Sequence, residues 1–396
     1  MTILKIFLIS LLGILSGILL GVLLIFYIPN KSSGASSPVN LKQIIQPAKK
    51  QVLGFLPYWF LSKAKDDYSE FITTLNYFSL TPDIDGTILK YTSPGESEPG
   101  YYALTAGAAD KFLSNAKAKN IKLSLTVFSG DQESINRLLD DPIPHAGNMM
   151  NDLVPIMNQY GFTDLNLDIE SIQNATPESQ LKFASFVKEV RSQITTRNLN
   201  YTLSIDIAPV DFIRDTDLIK PILIESLVDK IILMAYDFHS PSSYVTGPVA
   251  PLYGASTVAE FDTNVGVEKA LQVTSADKIL LGLPFYGYSW ETLGNFERAA
   301  IVPSSALIMG NSDVEDLLNT CASCSAQFDN LAKEKYIIYK NESGTFQQIF
   351  YPDADSVKAK TNFVNENGLG GIAIWALGYE GSNNILNPIQ NFLSHH

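Results

Sequence analysis

Gly161-Phe162-Thr163-Asp164-Leu165-Asn166-Leu167-Asp168-Ile169-Glu170 sorts its side chains by parity. Successive residues of a β-strand point to opposite faces, so Asp164, Asn166, Asp168 and Glu170 share one side and Leu165, Leu167 and Ile169 the other. An exposed strand has no use for so apolar a second face, whereas a strand walled by helices requires one. The apolar side therefore meets helices, and the polar side points into an enclosed interior where every polar group needs a partner. Neighbours on that side stand about 6.5–7 Å apart, so Asp168 and Glu170 can interact directly or through a bound substrate. Repulsion between two such carboxyls raises the pKa of one, as a general acid requires near neutral pH.

Working outward, apolar runs alternate with amphipathic segments from Gln51 onward. The spacing predicts strands at Val52–Leu56, Leu75–Leu80, Ile121–Phe128, Asp164–Ile169, Tyr201–Ile207, Lys230–Tyr236, Ile279–Phe285 and Gly371–Trp375. The helix after the fourth strand carries the stripe Phe183, Phe186, Val187, Val190 and Ile194, with Thr176 as its N-cap and Pro177 in the first helical position. The last long helix has Asp355 near its start and Gly368 just past its end. Eight strands separated by helical crossovers specify an α/β fold, a (β/α)8 TIM barrel over residues 51–396. No glycine-rich phosphate loop follows the first strand, as an open doubly wound sheet would usually have. The rhythm breaks between Trp290 and Asp355, a stretch too long for an ordinary βα loop. It contains a hairpin, Tyr336–Tyr339 and Phe346–Tyr351 about Asn341-Glu342-Ser343-Gly344, and reads as a small α+β insertion after strand 7, approximately residues 291–354.

The 396 residues are 46% hydrophobic and 17% charged, a globular composition. Acidic residues outnumber basic ones 41 to 28, which argues against a nucleic-acid partner. Ile6–Ile28 is uncharged and nearly all apolar, long enough to cross a bilayer, and no small-residue cleavage site follows it. It reads as a retained transmembrane signal anchor, with residues 1–5 cytoplasmic, a flexible linker over 29–50, and a single-pass membrane protein whose barrel lies outside the cytoplasm. Cys321 and Cys324 form a C-x-x-C pair open to a local disulfide or a redox role. His145, His239, His395 and His396 show no ligand spacing, and no metal or cofactor is expected.

The fourth-strand segment resembles the D-G-x-D-x-D-x-E signature of glycoside hydrolase family 18, the chitinase-like enzymes. Asp168 and Glu170 match its last two acidic positions; Thr163 and Asp164 stand where Asp-Gly is usual, and Asn166 where Asp is common. Met234-Ala235-Tyr236-Asp237 resembles the M-x-Y-D run that ends the sixth strand, and Gly370-Gly371-Ile372-Ala373-Ile374-Trp375 the eighth strand with its substrate-floor tryptophan. Gly247-Pro248-Val249-Ala250-Pro251-Leu252 and Leu283-Pro284-Phe285-Tyr286-Gly287 are similar to the spore-cortex and cell-wall branch.

The resemblance implies substrate-assisted cleavage of an acetamido-sugar polysaccharide, with Glu170 as acid then base, Asp168 orienting the acetamido N–H, and Tyr236 donating to the acetamido oxygen. Asn166, Asp237, Trp375 and Tyr286 join Tyr58 and Trp59 as candidate sugar-binding residues, with Asp206 in support and Met234 packing beneath. A chitinase-like protein that binds glycan without cleaving it is the alternative. Asp164, Asp168 and Glu170 could also hold a hard cation, but the strands offer no histidine to complete a catalytic site.

Overall fold

The computed structural model describes residues 49–170 and 174–394. The expected cytoplasmic segment 1–5, the span 6–28 and nearly all of the linker 29–50 lie outside the described residues, among which no helix is long and apolar enough to cross a membrane.

Eight parallel strands close into a barrel: β1 Gln51–Pro57, β2 Thr74–Leu80, β3 Lys122–Ser129, β4 Asp164–Ile169, β5 Thr202–Ile207, β6 Lys230–Leu233, β7 Ile279–Pro284 and β8 Gly371–Trp375. Each pairs with its sequence neighbour, and Gln51 opposite Gly371 closes the ring. Local chemistry sets the handover into β4. The helix Pro142–Tyr160 stops at Gly161, whose φ of 74° lies in the left-handed region that a side chain would disfavour. Four residues later Leu165 begins the outward apolar row; with Leu167 and Ile169 it is buried in the layer between barrel and helices. The helix Pro177–Thr196 turns its whole predicted stripe into that layer, and Thr176 Oγ1 accepts from Ser179 N at 3.1 Å. The later helix Ala354–Glu366 carries Asp355 in its first turn, as expected, and is capped by Asp353.

The barrel interior is divided. Leu53, Phe55, Phe78, Ile232, Leu280 and Ala373 fill one side with apolar contact. Asn76, Ser124, Thr126, Asp164, Asn166, Asp168, Ser204 and Asp206 are buried on strands β2 to β5, and most bond to one another.

Two boundaries differ from expectation by three residues or more. β6 ends at Leu233 rather than Tyr236, because the backbone bends over the barrel mouth, with Ala235 N on Leu233 O and Tyr236 N on Met234 O, before Asp237 takes φ 60°. The insertion begins at Tyr286 rather than near 291: Tyr286–Thr292 leaves the barrel at once and pairs with Leu307–Gly310 on one side and Phe346–Tyr351 on the other. Strands Glu334–Lys340 and Ala326–Asp329 complete an antiparallel five-stranded sheet, accompanied by the helix Asn311–Thr320. Just beyond that helix Cys321 and Cys324 form a disulfide.

A buried ion pair ties this insertion to the barrel. Glu334, fully buried on an insertion strand, lies 2.9 Å from Lys360 Nζ on the last long helix, and Ala250 N, on the segment after β6, donates to its carboxylate at 3.1 Å. Removing one partner strands the other charge away from water. Lys360→Met is expected to destabilise the protein by about 3–5 kcal/mol in equilibrium denaturation.

Candidate active site

β4 rises through the polar half of the barrel as a staircase. At its foot, Asp164 Oδ2 accepts from Ser124 Oγ at 2.7 Å and Ser204 Oγ at 2.8 Å, while Thr202 Oγ1 serves Oδ1. Burial pushes this carboxyl up, and the three hydroxyls together with Lys230 pull it back. One step higher, Asn166 Oδ1 accepts from Thr126 Oγ1 at 2.8 Å and Nδ2 donates to Asp206 Oδ1 at 2.8 Å. That second bond accounts for an amide at 166: a carboxylate there would face Asp206 at hydrogen-bond distance with no proton between them.

Above this ladder Asp168 and Glu170 reach a cavity of about 320 Å³. Asp168 is buried, and its Oδ1 has no hydrogen-bond partner among the described residues. Burial, then the charges of Glu170 and Asp206, drive Asp168 well above the usual carboxylate range. Glu170 is also raised, by burial first; a hydrogen bond from Asp168 opposes the shift and the charge of Asp237 adds to it. Tyr236 is held above its ordinary range by burial and by Asp206, Glu170 and Asp168, so its hydroxyl stays a donor. Gly282 makes room for it, since a Cβ there would stand 2.9 Å from the Tyr236 ring and 2.7 Å from Leu233 O. Asp237 Oδ1 accepts from Tyr286 Oη at 2.5 Å and from Tyr288 Oη at 2.9 Å.

The aromatic side of the cavity is Trp375, met edge-on by Phe78 at 4.7 Å and Phe55 at 5.6 Å between centroids, with Trp59 half exposed at the rim. The peptide bonds after Phe78 and Trp375 are both cis. Thus Glu170, Asp168, Tyr236, Asp237, Trp375, Trp59, Tyr286, Met234 and Asp206 all line one cavity. Two expected residues do not. Asn166 lies a layer below and touches Asp206 instead, and Tyr58 packs against the barrel's outer core and the edge of Trp59. Cys321 and Cys324 sit on the insertion and do not line the cavity. Among the described residues no group of three or more His, Cys, Asp or Glu is placed to hold a metal ion.

The sequence reading missed Phe78, Phe128 and Ala208 in the cavity, and Tyr288 behind it. It also missed a second cavity of about 350 Å³ on the other flank of Glu170, lined by Asp206, Asp211, Arg214, Asp217 and Met234. Alternation in Tyr286-Gly287-Tyr288 was the available signal for Tyr288; Asp211, in a short 3-10 turn, had none.

Compared with known proteins, residues 51–380 match the pattern of "Glycosyl hydrolases family 18". The chain belongs to glycoside hydrolase family 18. Within it, the chain is similar to the "Cortical fragment-lytic enzyme" of Bacillus subtilis (strain 168), 24% identical over 332 residues that cover 80% of this chain and 67% of that one. It is 24% identical to "Chitinase A1" of Niallia circulans over 70% of this chain and 44% of that protein. In fold it matches the Group IV chitinase of Ostrinia furnacalis with a TM-score of 0.75 at 21% identity, covering 87% of this chain and all of that one.

In this family 18 hydrolase, burial and then the nearby Asp217 charge push Asp211 up to about 8, against a backbone bond from Ala208 N at 3.0 Å. The folded chain therefore keeps a proton here that the unfolded chain releases near pH ~4. Because the native state binds more protons in between, this group's contribution to stability falls as pH rises from about 4 to 8. Asp211→Asn should melt higher than wild type at pH 8, with the gain vanishing by about pH 4 in thermal denaturation across a pH series.

Proposed function

We propose that the protein hydrolyses β-1,4 bonds of a polymer containing N-acetylglucosamine, cell-wall glycan foremost, with the substrate's own 2-acetamido oxygen as the attacking group. The observation that carries this reading is Asp168: a buried carboxyl beside Glu170, facing the cavity with one oxygen unpartnered. A buried acceptor of that kind calls for an N–H donor from whatever fills the cavity, and an acetamido group supplies one.

The sugar ring lies over Trp375, whose face suits its apolar C–H surface. Glu170 passes its proton to the bridging oxygen as the anomeric C–O bond breaks, while the acetamido oxygen bonds to the anomeric carbon. Asp168 holds the acetamido N–H and balances the charge of the cyclic intermediate; Tyr236 donates to the acetamido oxygen and fixes its approach. Water then attacks the anomeric carbon, gives its proton to Glu170, and reopens the ring with configuration retained. Asp237 and Tyr286 bind sugar hydroxyls. The name and coverage of the Bacillus relative support wall glycan over chitin. On the sequence of Ile6–Ile28 we place the barrel outside the cytoplasm on a membrane anchor.

Glu170→Gln should lower release of reducing ends from purified peptidoglycan and from N-acetylglucosamine oligomers by about 10²–10⁴-fold. Oligomers with unacetylated amino groups should resist the wild type, since they lack the attacking oxygen. Equal, near-zero rates for wild type and Glu170→Gln, with glycan still bound, would make this a binding protein instead.

A further inference from the structure

Tyr288 lies outside the substrate cavity, buried in the insertion between Tyr286 and Trp290 with ring centroids 5.6 Å and 5.5 Å away. Its hydroxyl nevertheless reaches through to the cavity wall and meets Asp237 Oδ1 at 2.9 Å, the same oxygen that Tyr286 Oη approaches at 2.5 Å. Asp237 sits at the open mouth of the cavity, its residue surface partly exposed, and makes no ion pair among the described residues. The groups that face it are Tyr286 and Tyr288 from the insertion, Tyr236 from its own segment, Tyr379 from the segment after β8, and Glu170 from β4. None is a cation, so two phenolic donors stand where a counter-ion would.

Glu170 is surrounded in the same manner. Asp168, Asp206, Asp211, Asp237 and Tyr236 are the titratable groups that act on it or feel its charge. Arg214 and Asp217 line the cavity on its other flank, but no basic residue belongs to that interacting set, and the charge state of each carboxyl bears on its neighbours.

We infer that Tyr288 is a positioning residue for the general acid: its hydroxyl holds Asp237 as a carboxylate, and the negative charge of Asp237 in turn keeps the proton on Glu170. The inference rests on the assignment of Glu170 as acid made above. Its physical steps are separate. Donors to a carboxylate favour its charged form, and a like charge nearby disfavours ionisation of the second carboxyl. Both donors sit on the first insertion strand, which runs directly out of β7. The insertion thereby sets the pH at which a barrel residue works.

Tyr288→Phe removes the hydroxyl and keeps the ring. Asp237 then protonates more readily, its charge fades, and Glu170 gives up its proton at lower pH. In the full-length chain, the alkaline limb of kcat/KM on an N-acetylglucosamine oligomer should move down by about half a pH unit or more. A ¹³C NMR titration of the Glu170 carboxyl, assigned by its loss in Glu170→Gln, should show the same fall without requiring turnover. Asp237→Asn should lower the midpoint further, and adding Tyr288→Phe to it should change nothing more. An unmoved Glu170 midpoint in Tyr288→Phe overturns the inference. So does a Tyr288→Phe effect that persists in the Asp237→Asn background, because a packing role alone lowers activity alike at every pH. Absence of turnover in wild type would defeat the proposed hydrolysis, while the carboxyl titration would still decide this coupling.

Discussion

The hydrogen-bonded ladder in the polar half of the barrel is what permits the rest. Asp164, Asn166 and Asp206 are buried where an unpaired polar group is costly, and each is met by Ser, Thr or amide groups of adjoining strands. Once those partners are in place, β4 can turn its whole polar side inward and deliver Asp168 and Glu170 to the mouth. The arrangement leaves Asp168 Oδ1 unpartnered at the top of an otherwise paired column, so the deficit falls where a ligand can make it good. The apolar half supplies the floor of the site, where Phe55 and Phe78 back Trp375, with Phe128 against Phe78, and fix the plane against which a sugar ring would rest.

The electrostatics of the mouth follow from this concentration of acids. Asp168, Glu170, Asp206, Asp211 and Asp237 are all raised, and burial is the leading cause in each. Low local polarity makes proton retention cheap, and it makes each hydrogen-bond donor count for more. Tyr236, Tyr286 and Tyr288 are the donors that this site offers in place of basic side chains.

How far the sequence could be read depended on whether a residue's environment lay along its own chain. The parity of Asp164 to Glu170 revealed the inward face of β4, and Phe183, Phe186, Val187, Val190 and Ile194 marked the helix that covers it. Boundaries failed where the side-chain pattern carries no signal: the backbone turns that end β6 at Leu233 use only main-chain groups, and the aromatic run after Pro284 serves a strand of the insertion as well as it would a barrel strand. Tyr58 and Trp59 are adjacent and chemically alike, yet only Trp59 reaches the cavity, because a 3-10 turn sends them in different directions. The partners of Asn166 come from β3 and β5, some forty residues away on either side, and only the parallel pairing of β4 between those strands brings them together.

The Glu334–Lys360 contact has a consequence for how far the insertion can move. It joins an insertion strand, the last long helix and the stretch at Ala250, and it is sealed from water. A flap that swings open on a hinge would have to expose or part those two charges each time it moved. The insertion therefore stands as a fixed buttress beside the cavity rather than a hinged flap.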